Sequence, residues 1–126
     1  AMEIAELRET IDALKTKAKR LDAAVDSLIA AGLPLTPASI ARLNEMLIGL
    51  ERSFIDERGL PNRTGFRHTA FAPGTVTGYA AWPLPGLTEA VKNRDAAQFA
   101  EQKGRLLEAL RRAEARIDEG LGIVGP

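Results

Sequence analysis

Apolar residues recur at intervals of three and four from the beginning of the chain: Ile4, Leu7, Ile11, Leu14, Ala18, Leu21, Val25 and Leu28. That spacing lays them along one stripe of an α-helix and leaves the charged residues between them on the other faces. Gly32 can take the left-handed cap conformation and Pro34 follows it, so the helix is predicted to end near Ala31. Thr36 can accept the free amide groups of a new first turn, and Pro37 suits the first helical position. The second helix then carries Ile40, Leu43, Leu47, Leu50 and Phe54, and Gly59 is its predicted stop. A short third helix from Pro85 to Asn93 would turn Leu87 and Val91 inward. Asp95 followed by Gln98 resembles a capping box that opens a fourth helix, with the stripe Phe99, Leu106, Leu110, Ala113 and Ile117. Glu101 with Arg105 and Glu108 with Arg112 are favourably spaced on its wet face, and Gly120 is its predicted end.

Length decides how such helices pack. A first helix of about 26 residues extends about 39 Å, whereas a compact chain of this size has a radius of gyration near ~14 Å. The expected architecture is therefore all-α: an elongated up-and-down four-helix bundle whose stripes follow the period of knobs-into-holes packing. The same repeat would also serve helices of another chain. The 126 residues make one domain, 1–126, with Ala1 and Met2 reading as a tag remnant or start. No apolar run approaches the ~20 residues of a membrane span, and no signal peptide opens the chain.

Helix periodicity breaks down between the second and third helices. Residues 60–84 are expected to form a long, ordered, irregular loop, since Pro61, Pro73 and Pro83, with Pro85 at its end, forbid regular helix through most of it. Charge and composition single out the same stretch. Lys plus Arg (17) cancels Asp plus Glu (17), so no positive field gathers nucleic acid or an anionic membrane, and neither is expected as a partner. The sum conceals a segment, 59–87, with two basic residues and no acid. That segment holds four of the six aromatics, Phe66, Phe71, Tyr79 and Trp82, together with the one histidine, His68. Arg67 and His68 stand together as donors with no acid in the segment, which points to an anionic group from elsewhere; a structural hydrogen bond is the more ordinary role for His68.

Other chemistry is excluded by what is missing. With no cysteine there is no disulfide, thiolate metal site or cysteine nucleophile. One histidine argues against an all-protein zinc site, and no Ser-His-Asp arrangement can be assembled from a single histidine of unknown position, so no catalytic residue and no metal ligand is assigned. Gly120, Gly122 and Gly125 spell a dinucleotide-binding pattern, but no strand precedes and no helix follows them, and they read as a frayed tail. Asn62-Arg63-Thr64 fits a glycosylation pattern without any secretory context. Lys15, Lys17, Lys19 and Arg20 read as a solvated or partner-facing surface, because Asp22 and Asp26 follow within two turns.

The run from Leu50 to Val91, LERSFIDERGLPNRTGFRHTAFAPGTVTGYAAWPLPGLTEAV, resembles the C-terminal helical domain shared by glutamate carboxypeptidase II and the transferrin receptor. The resemblance rests on Leu50 to Asp56, Gly59 to Pro61, Phe66 to His68, Ala72 with Pro73, Tyr79, and Pro85 with Gly86. It implies a four-helix bundle that packs on a zinc peptidase domain and forms much of a homodimer interface. It also implies a long loop reaching the substrate pocket, where Tyr79 would bind the C-terminal carboxylate of a peptide and Arg67 and His68 would support the loop. The lysine that precedes this tyrosine in the carboxypeptidases falls on Gly78, so that cation is missing here. The family's zinc and its ligands belong to a peptidase domain outside this chain, which needs no cofactor of its own and would not catalyse by itself. The alternative is a non-catalytic receptor-like or adaptor domain that uses the helices only for association; an independent module binding its own ligand in the aromatic loop is a third reading.

Overall fold

The computed structural model describes residues 2–75 and 78–125. In chain order the elements are α1 (Ala5–Ala30), α2 (Pro37–Arg52), β1 (Phe71–Pro73), β2 (Ala81–Pro83), α3 (Pro85–Asn93) and α4 (Ala96–Val124). The fold is mostly helical, with four helices and one small sheet.

The helix starts follow from local chemistry. Thr36 is extended (φ −66°, ψ 153°) and its Oγ1 accepts the Ser39 amide at 3.1 Å, while Pro37 gives up an amide that would have had no partner. Asp95 Oδ1 accepts the Gln98 amide at 2.9 Å and caps α4. Gly32 closes α1 with φ +64°. Two predicted ends move. α2 stops at Arg52, well before Gly59, with the Ser53 hydroxyl donating to the Gly49 carbonyl at 2.8 Å. α4 runs on to Val124, because Gly120 is not a stop but a point of close approach: a Cβ there would lie 2.6 Å from Met46 Cε and 3.1 Å from Leu21 Cδ2. Gly120 and Gly122 are thus helical rather than part of a frayed tail.

The chain divides into two compact units. One comprises Arg8–Ser53 and the residues from Leu110 onward. Its core is Leu21, Met46, Ile117 and Val124, against which Leu14, Ala18, Val25, Leu28, Leu43, Leu50 and Leu121 pack. Lys17 reaches from α1 to Glu114 (2.8 Å) and Asp118 (2.9 Å) on α4. The buried face of α2 is turned from the predicted stripe: Met46 is buried, whereas Ile40 (46% exposed) and Leu47 (51%) face solvent.

The other unit comprises the residues up to Leu7 and Phe54–Ala109. Leu7, Leu60, Ala72, Leu87, Ala90, Phe99, Leu106 and Leu107 are its principal buried apolar residues. The stretch read as irregular contains the sheet, an antiparallel hairpin with Phe71 opposite Pro83, Ala72 opposite Trp82 and Pro73 opposite Ala81. α3 packs on both strands. It buries Leu87 as predicted, but Ala90 takes the place expected for Val91, which is half exposed.

Candidate functional site

The hairpin and the chain leading to it form the region that sequence singles out. After α2 the backbone doubles back on itself: the Asp56 amide donates to the Arg67 carbonyl at 2.8 Å, and the Thr69 amide donates to the Phe54 carbonyl at 2.8 Å. A tighter turn closes where the Leu60 amide donates to the Phe66 carbonyl at 2.9 Å. Gly59 makes this fold possible with φ +73°, and a Cβ there would lie 2.4 Å from the Thr64 carbonyl oxygen. The hairpin itself is closed at the tip by the Gly74 amide on the Ala80 carbonyl (2.9 Å) and at the base by the Leu84 amide on the Ala70 carbonyl (2.8 Å).

The connection between the strands, residues 74–80, carries Tyr79, which is 99% exposed. Among the described residues its hydroxyl has no partner. Gly78 beside it has φ +70° and open space around it, a backbone conformation that a lysine would adopt only under strain.

Arg67 and His68 lie at the start of this region and face different partners. Arg67 pairs with Glu57 at 2.8 Å, an acid just outside the acid-free stretch, and both side chains are largely exposed. The His68 ring stacks on Phe54 (centroids 6.0 Å, planes 18° apart) and contacts Phe71 at 6.2 Å. Its Nδ1 accepts the amides of Ala70 (3.2 Å) and Phe71 (3.3 Å), so this nitrogen acts as an acceptor and fixes the turn into β1. His68 thus supports the base of the hairpin, and Arg67 lies at the surface.

Two further side chains hold the hairpin, and neither was singled out in the sequence. Arg63 donates from Nη1 to the Pro73 carbonyl at the end of β1, lies 5.4 Å from the Phe66 ring centroid, and approaches Glu89 of α3 at 3.8 Å. Lys92 of α3 sits 4.1 Å from the Trp82 ring centroid, a cation–π contact from helix to strand. The signal for Arg63 was available, since it and Arg67 are the two cations of the acid-free segment.

Asp56 and Arg58 anchor the way in. Asp56 is buried and accepts from the Arg58 amide (3.0 Å), Nε (2.8 Å) and Nη2 (2.8 Å). Arg58 Nη2 also reaches Glu108 on α4 at 2.6 Å. The Arg58 hydrogen bonds hold the Asp56 carboxyl below its ordinary value against the opposing effect of burial, and the two carboxylates hold Arg58 firmly protonated. On α4, Arg105 pairs with Glu101 at 2.5 Å, as its spacing predicts, and also donates to the Gly59 carbonyl at 3.0 Å.

No three His, Asp or Glu side chains gather among the described residues in a way that could hold a metal ion. These residues do not fit a zinc site. Nor, among them, is any helix long and apolar enough to cross a membrane.

Over residues 2–118 the chain matches the transferrin receptor-like dimerisation domain. It belongs to that family. Among curated proteins it is 35% identical over 82 residues to a "Probable glutamate carboxypeptidase" of Arthroderma benhamiae, a match covering 65% of this chain and 10% of the relative. The chain thus spans about a tenth of the length of that relative.

Proposed function

We propose that the chain is the C-terminal homodimerisation domain of a zinc-dependent, glutamate carboxypeptidase-like peptidase, and that its hairpin helps complete the substrate pocket of the peptidase domain. In this reading the four helices form the bundle of that domain across residues 1–126, and the peptidase domain of the same chain and the C-terminal carboxylate of a peptide are its further partners. The zinc and its ligands belong to the peptidase domain; no step of the chemistry runs through residues of this chain.

The observation that carries the pocket role is Tyr79, a fully exposed phenol at the connection of a hairpin braced by His68, Arg63 and Lys92. A tyrosine turned outward has no packing role to explain its hydroxyl, and a phenol is a suitable donor to a carboxylate. Without the lysine expected at position 78, that contact is a single hydrogen bond from a neutral donor, which suits weaker selection for a glutamate side chain than a Lys-Tyr pair would provide. In the parent peptidase Tyr79→Phe should raise KM several-fold with little change in kcat; unchanged kinetics would remove the pocket role. Dimerisation is tested separately by light scattering of the 126-residue chain, where monomer alone up to millimolar concentration would count against it.

A further inference from the structure

A groove of about 630 Å³ runs between α2 and the C-terminal half of α4 within one compact unit. Its α2 wall is Glu45, Ile48, Gly49 and Arg52, spaced i, i+3, i+4, i+7 and therefore on one face of the helix. The α4 wall, Arg112, Ala115, Arg116 and Glu119, repeats the same spacing. The two walls meet at their midpoints, where a Cβ on Gly49 would lie 3.0 Å from Arg116 Nε.

The groove is electrically polarised along its length. Glu45 and Glu119 share one end, where a further cleft of about 340 Å³ continues past both of them toward Arg42. Arg52 and Arg112 mark the other end, with Arg112 donating to the Ser53 carbonyl at 2.8 and 3.1 Å. Arg116 in the middle pairs with Glu119 at 3.1 Å. Glu45 and Arg52 have no ion-pair partner among the described residues, and Ile48 between them is 54% exposed. An acid end and a basic end at equal distances from a centre are complementary to their own image after a half-turn.

Resting on the homodimer reading above, we propose that this groove is the self-association surface, faced by the same groove of a second copy about a two-fold axis in the plane of contact, passing over α2 between Ile48 and Gly49 and over α4 between Ala115 and Arg116. The axis lies across the groove and reverses it. Glu45 then meets the partner's Arg52, the partner's Glu45 meets Arg52, and Glu119 and Arg112 exchange in the same way. Ile48, 54% exposed, lies beside the axis next to the partner's Ile48. Each ion pair is made twice. Arg116 lies beside the axis next to its own copy, and its pairing with Glu119 offsets that repulsion. The contact is modest in area, since α2 is only about 24 Å long, below what a standard interface of ~800 Å² per partner requires, and a micromolar Kd is expected for the isolated chain.

The experiment measures the Kd of the 126-residue chain by sedimentation velocity for wild type, Glu45→Arg, Arg52→Glu and the double variant, with circular dichroism confirming that each is folded. Each single reversal should weaken association about tenfold or more, and the double variant should return close to wild type because the swapped charges face each other again. The chain has no cysteine, which allows a second arm. Ile48→Cys should cross-link to its counterpart on oxidation, whereas equally exposed Ile40→Cys, whose copies would stand roughly 25 Å apart on antiparallel helices, should not. If wild type dimerises but single reversals leave its Kd unchanged, the double variant fails to recover, or Ile48→Cys does not cross-link, this interface is overturned while the homodimer reading stands. A wild type monomeric to millimolar concentration overturns both, and leaves the groove to another part of the parent.

Discussion

At the scale of single residues, Asp56 illustrates how one buried carboxylate organises a long connection. It takes three hydrogen bonds from Arg58, while its backbone closes onto Arg67 and Gly59. Asp56→Asn keeps the shape but removes the charge that makes the guanidinium bonds strong, and should lower unfolding free energy by about 1–3 kcal/mol in urea at pH 7. The pH dependence has a definite sign. Because the folded carboxyl is held below its ordinary value, its stabilisation is complete above ~3.9 and is lost as the pH falls from there through the lower folded value. Wild type should therefore converge on the Asn variant in acid, and an offset between the two that stayed constant from pH 7 to pH 2.5 would contradict this role. Asp56 stood out only as the last residue of the Leu50 to Asp56 motif that carries the resemblance, and its pairing with Arg58 left no signal because the partner lies two residues away in a run with no periodicity. Tyr79 is singled out by the resemblance alone, and His68 by its isolation among aromatics. Arg63 shows in the sequence only as one of two cations in the acid-free segment, while its target, the Pro73 backbone carbonyl, leaves no trace in residue identities.

At the scale of elements, starts were legible, as were the end of α1 before Gly32 and that of α3 at Asn93, while two other ends were not. Thr36-Pro37 and Asp95 with Gln98 are local devices whose meaning does not depend on what packs nearby. The ends at Arg52 and Val124 depend on neighbours far away in sequence: Gly120 looks like a stop until Met46 and Leu21 are seen to press against it. The rotation of α2 has the same origin, because Leu43 and Leu50 fit two alternative stripes and only the partner helices choose the one containing Met46. The hairpin was illegible because three-residue strands containing Pro73 and Pro83 show no alternation, and their register is fixed by distant groups. Two glycines of α4 separate the packing reason from mere tolerance. Gly104 has nothing within 4 Å of where a Cβ would stand, so Gly104→Ala should gain about 0.5–1 kcal/mol from helix propensity alone. Gly120→Val should lose about 1–3 kcal/mol by overpacking. Equal shifts in thermal midpoint for the two would refute the distinction.

At the scale of the whole molecule, the balance of 17 cations and 17 acids means that copies of the chain neither attract nor repel one another at long range. Salt should then have little effect on any association driven by apolar contact. If the polarised groove joins two copies, raising the salt from about 0.05 to 0.5 M should instead weaken the Kd, because the Debye length shrinks below the separation of the paired ends. A Kd indifferent to salt would point to the exposed apolar residues of α2, Ile40 and Leu47, instead. The whole-chain sum sets nucleic acid aside as an expected partner, yet it carries no hint of where charges of opposite sign are placed.

The one tryptophan offers a use beyond its place in the sheet. Trp82 lies in the hairpin against Lys92, far along the chain from the helical core around Met46 and Ile117. Its intrinsic fluorescence therefore reports on the hairpin, whereas far-ultraviolet circular dichroism is dominated by the four helices. Melting curves followed by both signals on one sample would show whether Tyr79 is carried by a support that lasts as long as the helices do, or by one that opens first and closes only when a substrate or a neighbouring domain holds it.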